Sequence, residues 1–561
     1  MAIISFIFFS ALVGIITFIK TKKSNLATTD GYFLGGRSLT SGIITGSLML
    51  TNLSALNFIG MSAQAYSHNM SVMGWEVCSA IILIVVALFL LPRYLKQGIT
   101  TIPEFIEARF DKGTSKFITI LFLVSYVVNA LPVTLYAGSV AISEMFRVEE
   151  LLNIGYVESI WICGAIIGTV GAIYAICGGL RAVAISDSIN GIILVISGLL
   201  IPFFALLYMG KGNIIDGFEM LGNIPHSKFN AIGSNTDPLP FSTLFTGLLL
   251  VNLYYWGTDQ CIIQRALAAV NLKEGQKGVI WAGFFKILTP FIVIIPGLMA
   301  YEIFGDSVQN PDTAYPKLVN LVLPTSLIGL FATAMIGAIL SSFNSVLNSV
   351  ATLFALNIYK PMFGKNKNDD EVVKIGKIFA IIIAIIAIVT SPFIMYAPKG
   401  LLDYLQTING FFNVPIFTII FMGYVAKRTP PIAAKIAITF FVITYGITQL
   451  FWDTGLHFLH ISAILFIISC LIMYIIGKMY PTKDEFHLEE KHIVEIKPWD
   501  KRFRASGFII FVMVSMYIIF SPIGLASESG FNIKTIVALI INAIICFIGA
   551  MLFEKKFVKE K

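Results

Sequence analysis

The sequence predicts an all-α integral membrane protein with about fifteen transmembrane helices, ten of which form two five-helix repeats of opposite orientation. Three observations predict it. Of 561 residues, 57% are hydrophobic and only 13% charged, against about 25% charged in a soluble domain. The mean hydropathy is +0.84. Apolar runs of roughly 20 residues, long enough to cross the hydrocarbon core, recur from one end of the chain to the other. Two of these runs are polar at their centres, and they lie five spans apart.

The spans read as 2–20, 43–67, 72–92, 116–144, 157–177, 183–209, 240–266, 277–304, 323–358, 373–396, 401–425, 431–452, 457–477, 506–523 and 533–554. Residues 2–19 are followed by basic residues and no small-residue cleavage site, so they read as a retained first helix. The longest hydrophilic stretches are 210–239 and 478–505, too short for a separate soluble domain. Cys78, Cys163, Cys177, Cys261, Cys470 and Cys546 fall singly in or beside apolar segments, a pattern that argues against disulfides and zinc.

Basic residues set the orientation, because cytoplasmic loops collect Lys and Arg. With the N-terminus outside, the inside loops are 20–42, 93–116, 178–182, 265–277, 359–377, 426–435, 478–505 and 555–561, and they hold 32 of the 39 basic residues. Outside are Arg147, Lys211, Lys228, Lys317, Lys399 and Lys534. The expectation is a plasma (inner) membrane protein with its C-terminus in the cytoplasm. On this reading Lys286, in WAGFFKILTPFIVIIPGLMA (281–300), is the sole cation left in the membrane. It lies about nine positions from the inside end of its span, or ~13–14 Å, beyond easy reach of the interface for a lysine stem.

The second span carries TNLSALNFIG (51–60) and the seventh NLYYWGTDQ (252–260). Such residues favour non-helical backbone, which at membrane depth survives only where it lines a cavity. Five spans of separation invert the second copy, the plan of many secondary transporters with a midplane site. Glu76 lies about one turn inside the third span and is a natural partner for Lys286, since pairing lowers both burial costs. GAILSSFNSVLNS (337–349) places Ser341, Ser342, Asn344, Ser345, Asn348 and Ser349 on one helix. Their hydroxyls are hard ligands suited to Na⁺, or small residues that let helices approach. Asp187 and Asp259 each fit two readings, a solvated interfacial carboxylate or a cation ligand. His457 and His460 read as interfacial. The chain has no P-loop or G-x-G-x-x-G motif, which disfavours nucleotide-driven transport and leaves an ion gradient as the energy source.

GYFLGGRSL (31–39), TIPEFIEARF (101–110), NLYYWGTDQCIIQRALAA (252–269), EGQKG (274–278) and SSFNSVLNS (341–349) resemble the sodium:solute symporter family, most closely its bacterial sodium/sugar members. The resemblance covers about residues 1–450. It implies a LeuT-type core over 43–425, an added N-terminal helix and loop over 1–42, and accessory helices over 426–561. It further implies a sugar site of Asn57, Glu76, Ser79, Asn252, Lys286 and Gln406, with Tyr255 as an aromatic inner gate. The implied Na⁺ site comprises the carbonyls of Leu50, Leu53 and Ala338 and the hydroxyls of Ser341 and Ser342, with Asp187 on the ion's inward path. Some family members bind a second Na⁺ through two further serines; here the first of those positions is Asn344, which leaves that ion unassigned.

The function expected is Na⁺-coupled symport of a neutral monosaccharide such as glucose or galactose. Inositol, sialic acid or another small organic solute is the alternative within the family. A membrane sensor would need a signalling domain, and an enzyme a catalytic His or Asp cluster; neither is legible in the sequence.

Overall fold

The computed structural model describes residues 2–21, 28–54, 56–308, 311–363, 367–396, 401–452, 454–487, 490–491 and 493–558. Of the basic residues used for orientation, Lys22, Lys23, Lys365, Lys399, Lys559 and Lys561 lie outside the described residues. The described chain is almost wholly helical, with two isolated backbone bridges as its only extended pairing.

Twelve helices among the described residues are long and apolar enough to cross a membrane, or thirteen with one bent pair counted as a span. The expected fifteen are therefore not all reached. Two are missing for different reasons. Helix α1 (Ala2–Thr21) is a 20-residue helix over the expected first span, and only its part Ala11–Thr21 is described with all its side chains. The seventh, 240–266, is broken: α9 (Gly247–Gly257) stops at Thr258, and α10 (Gln260–Leu267) restarts with the Asp259 side chain accepting from the Cys261 N–H. The bent pair is the second span, where α2 (Ser41–Asn52) meets α3 (Asn57–Ser67) at 61°. Both interruptions fall in the polar stretches, because Asn, Ser and Asp side chains offer the backbone alternatives to the helical ladder.

Between and after these come α4 (Met70–Gln97), the short α5 (Ile102–Arg109), α6 (Lys112–Phe146), α7 (Tyr156–Ile176), α8 (Gly179–Met209), α11 (Leu272–Ser307), α12 (Thr325–Met362) and α13 (Asp369–Tyr396). Helices α14 (Leu401–Gly410) and α15 (Asn413–Val425) follow, then α16 (Pro431–Leu450), α17 (Phe458–Met479), α18 (Arg502–Ile519) and α19 (Ile533–Phe557). Helices α4, α6, α11 and α12 each contain a π turn: Val86–Leu90, Tyr126–Ala130, Pro290–Ile294 and Phe354–Tyr359. Each ends two residues before a proline (Pro92, Pro132, Pro296, Pro361). Proline lacks an N–H and its ring clashes with the carbonyl four residues back; one extra residue in the preceding turn relieves the clash. A fifth π turn, Asn57–Met61, opens α3 without a proline.

The packed centre lies where α2 and α12 meet α8, close to both breaks. The α8–α9 connection covers one end of the bundle. There Lys228 donates to the Tyr66 carbonyl at 2.6 Å, its ammonium 3.8 Å from the Tyr301 ring centroid, and the Ala231 N–H donates to the Phe520 carbonyl.

Candidate substrate and ion sites

Between the two breaks lies a cavity of about 230 Å³, lined by residues of α2, α3, α4, α6, α9, α10, α12, α14 and α15. Six of the seven residues expected to hold solute line it: Asn57, Glu76, Ser79, Asn252, Tyr255 and Gln406. The seventh, Lys286, sits behind the wall, with its side chain fully buried. Its ammonium forms a salt bridge to Glu76 Oε2 and donates to Asn52 Oδ1. Glu76 Oε1 accepts from Asn57 Nδ2 at 3.1 Å, and the Asn57 Oδ1 accepts from the Ser54 hydroxyl at 3.1 Å. Ser79 donates to Asn252 Oδ1 at 2.8 Å. The break at 53–56 therefore lets Asn57 turn its amide onto the carboxylate of the next span.

Tyr255 is tied into the same network, since its hydroxyl accepts from Asn52 Nδ2 at 3.1 Å. Asn52 thus bridges the Lys286 ammonium to the Tyr255 ring. It was visible inside TNLSALNFIG, but nothing in the sequence distinguished it from its neighbours. Ser125, Tyr126, Asn409 and Asn413 also line the cavity. They sit in otherwise unremarkable helices, and periodicity gives no hint of them. Asp259, open to two readings in the sequence, is buried: it lines the cavity and accepts from the Tyr126 hydroxyl at 2.7 Å.

Leu50, Leu53 and Ala338 are buried. Leu53 ends α2 outside helical geometry, which frees carbonyls that a continuous helix would consume. Ser342 donates to the Thr51 carbonyl at 2.8 Å, and the Thr51 and Ser341 hydroxyl oxygens are 3.2 Å apart. The break in α2 and the serines of α12 therefore form one oxygen-rich cluster, the chemistry that suits a hard monovalent cation.

Asp187 is 2% exposed, which excludes the solvated interfacial reading. Its Oδ2 accepts from Ser47 at 2.8 Å and from Thr51 at 3.5 Å, and pairs with Arg265 at 3.4 Å. The guanidinium also donates to Ser47 Oγ at 2.6 Å, to Ser345 Oγ and to the Cys261 carbonyl. This corrects the charge tally, because Lys286 is not the sole buried cation. Arg265 was assigned to an inside loop because it follows an apolar run, but α10 carries it back into the core as a fully buried residue. Ser345 is occupied by that guanidinium. Both amide atoms of Asn348 and the Asn344 Oδ1 are buried without a protein partner.

The model of the sodium:solute symporter family matches residues 32–439. An uncharacterized symporter of Escherichia coli K12, YidK, is 43% identical over 532 residues, covering 95% of this chain and 92% of the relative. The sodium/glucose cotransporter of Vibrio parahaemolyticus is 33% identical over 455 residues, 77% of this chain and 82% of that one. The cattle sodium/myo-inositol cotransporter 2 is 28% identical over 468 residues, covering 76% of this chain and 66% of the relative. Among solved structures, a Na⁺-coupled sialic acid symporter in a substrate-bound outward-open state aligns with a TM-score of 0.73. That alignment covers 86% of this chain and 98% of that one at 21% identity, which establishes the shared LeuT-type fold. The chain is a member of the sodium:solute symporter family, a multi-pass membrane protein that couples solute movement to Na⁺.

Proposed function

We propose that the protein carries a neutral polyhydroxylated solute, a monosaccharide such as glucose or galactose, into the cell with Na⁺. The observation that supports this most is the cavity lining. It presents carboxamides, hydroxyls, aromatic faces and the carboxylates of Glu76 and Asp259, and among the lining residues there is no Lys, Arg or His. The charge of Glu76 is offset from behind by Lys286, so the cavity offers hydrogen bonds without a cation to attract an anionic solute. A carboxylate solute would meet the Glu76 and Asp259 carboxylates with no cation among the lining residues to offset its charge.

In this reading Asn57, Glu76, Ser79, Asn252 and Gln406 bond solute hydroxyls, Lys286 aims the Glu76 carboxylate through their salt bridge, and the Tyr255 ring closes the inner side. Na⁺ takes the Leu50, Leu53 and Ala338 carbonyls and the Ser341 and Ser342 hydroxyls. Occupancy there draws the broken helix α2 against α12, which sets Asn52 and Asn57 for solute. Residues 43–425 form the moving core, flanked by 1–42 and 426–561, with the N-terminus outside. The names of the relatives above support a sugar or a cyclic polyol, and the polarity of the cavity suits both.

Counterflow into proteoliposomes tests the proposal. Labelled glucose, galactose, myo-inositol and sialic acid are each offered to vesicles preloaded with the same unlabelled solute, with and without Na⁺. Na⁺-dependent accumulation of a monosaccharide is the expected outcome. Accumulation of sialic acid alone would overturn the neutral-solute reading.

A further inference from the structure

The hydrophilic segment between α17 and α18, residues 480–501, does not hang free. Its described residues, 480–487, 490–491 and 493–501, run across one end of the bundle and are bonded to it at several points. The Thr482 N–H donates to the Arg428 carbonyl at 2.9 Å and the Phe486 N–H to the Lys427 carbonyl at 3.2 Å, just past the end of α15. The Phe486 ring lies edge-on to Phe105 with centroids 6.3 Å apart, under the Arg109 guanidinium at 5.3 Å. Arg109 is itself fixed on the Gly423 and Ala426 carbonyls at 2.8 and 2.5 Å, and burial pulls its pKa down to about 10. Farther on, the Lys491 N–H donates to the Lys96 carbonyl at 2.9 Å, and salt bridges join Lys96 to Glu490 and Lys491 to Glu104. Finally the Leu272 N–H donates to the Glu495 carbonyl at 3.0 Å, and the Trp499 N–H to Gln276 Oε1 at 2.8 Å, with Trp499 buried.

The anchors belong to both halves of the inverted repeat. Lys96, Glu104 and Phe105 follow the third span in the first half. Leu272 and Gln276 open α11 in the second half, and Lys427 and Arg428 follow its last helix. Alternating access rocks one group of these helices against another around a fixed site. A segment bonded at once to α4, α5, the start of α11 and the end of α15 must slacken before these helices part at this end of the bundle. At the same end, Arg37 donates to the Leu267 carbonyl at 3.2 Å and the Gly98 carbonyl at 3.1 Å, while Leu39 pairs with Ala269. By the distribution of basic residues this end faces the cytoplasm.

We propose that the stretches 480–487, 490–491 and 493–501 form a strap that latches the cytoplasmic gate shut and must release for solute and Na⁺ to leave inward. The inference rests on alternating access in this family and not on which solute is carried, so it is tested without a solute. Cys261 lines the cavity and serves as a native reporter of inward opening. Full-length protein in inside-out vesicles is treated with a charged, membrane-impermeant maleimide, and modification of the Cys261 peptide is followed by mass spectrometry. Phe486→Ala combined with Trp499→Ala loosens both ends of the strap and is expected to raise the labelling rate at least threefold. Lys96→Cys combined with Lys491→Cys, oxidised to a disulfide, is expected to lower it at least threefold, with recovery after reduction. The cross-linked variant also controls for misfolding, since an unfolded protein would label faster. Equal Cys261 labelling in wild type, loosened and cross-linked proteins would overturn the latch, whatever the outcome of counterflow.

Discussion

Among the described residues, two ion pairs lie in the membrane-buried core, and they are built differently. Glu76–Lys286 uses a compact ammonium whose carboxylate partner reaches the cavity wall. Asp187–Arg265 uses a planar fork held by Ser47, Ser345 and a backbone carbonyl, away from the cavity lining. Lysine is a point charge on a flexible stem, whereas arginine fixes several acceptors at once. The first pair can therefore yield hydrogen bonds to a visiting solute with small adjustments. The second is a cross-brace between α2, α8, α10 and α12, and its carboxylate lies one hydroxyl away from the cluster around Ser341 and Ser342. On the proposed function, the difference separates a pair that serves solute from one that serves the ion and the closed inner side.

The sharpest way to break this comparison is to remove one cation at a time. Lys286→Ala and Arg265→Ala each strand a buried carboxylate, a loss of ~3–5 kcal/mol, and each is expected to lower the thermal midpoint of purified protein markedly. The neutral doubles then discriminate. Lys286→Met with Glu76→Gln is expected to recover the midpoint but not calorimetric solute binding. Arg265→Met with Asp187→Asn is expected to recover both midpoint and solute binding while changing the Na⁺ dependence of uptake. Identical behaviour of the two doubles would erase the distinction.

A smaller effect is expected on the ion side. Ser342→Ala deletes one hydroxyl oxygen at nearly constant volume, and the Na⁺ concentration for half-maximal uptake is expected to rise about tenfold, equivalent to ~1.4 kcal/mol. An unchanged Na⁺ dependence in proteoliposomes would remove Ser342 from the ion site. Smallest is the gate hydroxyl. Tyr255→Phe loses the bond from Asn52, ~0.5–1.5 kcal/mol, and is expected to raise the apparent solute Km severalfold. Tyr255→Ala also loses the stacking face and should be worse by at least another factor of ten. Equal effects of the two would assign the residue's role to its hydroxyl.

How legible these sites were follows from their physics. The breaks in the second and seventh spans could be read because Asn, Ser, Gly and Asp interrupt otherwise apolar runs. Glu76 and Lys286 stood out because charge inside a span is rare. Arg265 did not, because it lies at the end of an apolar run, where an arginine ordinarily meets water and counts as a loop residue. Only the turn after Asp259 shows that the run stops short and re-enters. Ser125, Asn409 and Asn413 were equally hidden, since a small polar residue in a spanning helix is compatible with packing, capping or lining. The break in the seventh span has the same origin, as hydropathy registers it as continuous while the structure divides it into α9 and α10.

The π turns before Pro92, Pro132, Pro296 and Pro361 decide where the chain can lose a single amino acid. Each turn holds one residue more than the helical repeat requires. Deleting one residue from Tyr126–Ala130 would remove that surplus and close a regular turn, leaving the helix beyond near its present rotation at the cost of the restored clash at Pro132. Deleting Val133, outside the turn, would instead rotate one side of the helix against the other by about 100°. Ala137, which lines the cavity, would then point elsewhere, although no side chain had been substituted. A deletion scan across α6 is therefore expected to be tolerated best inside the π turn.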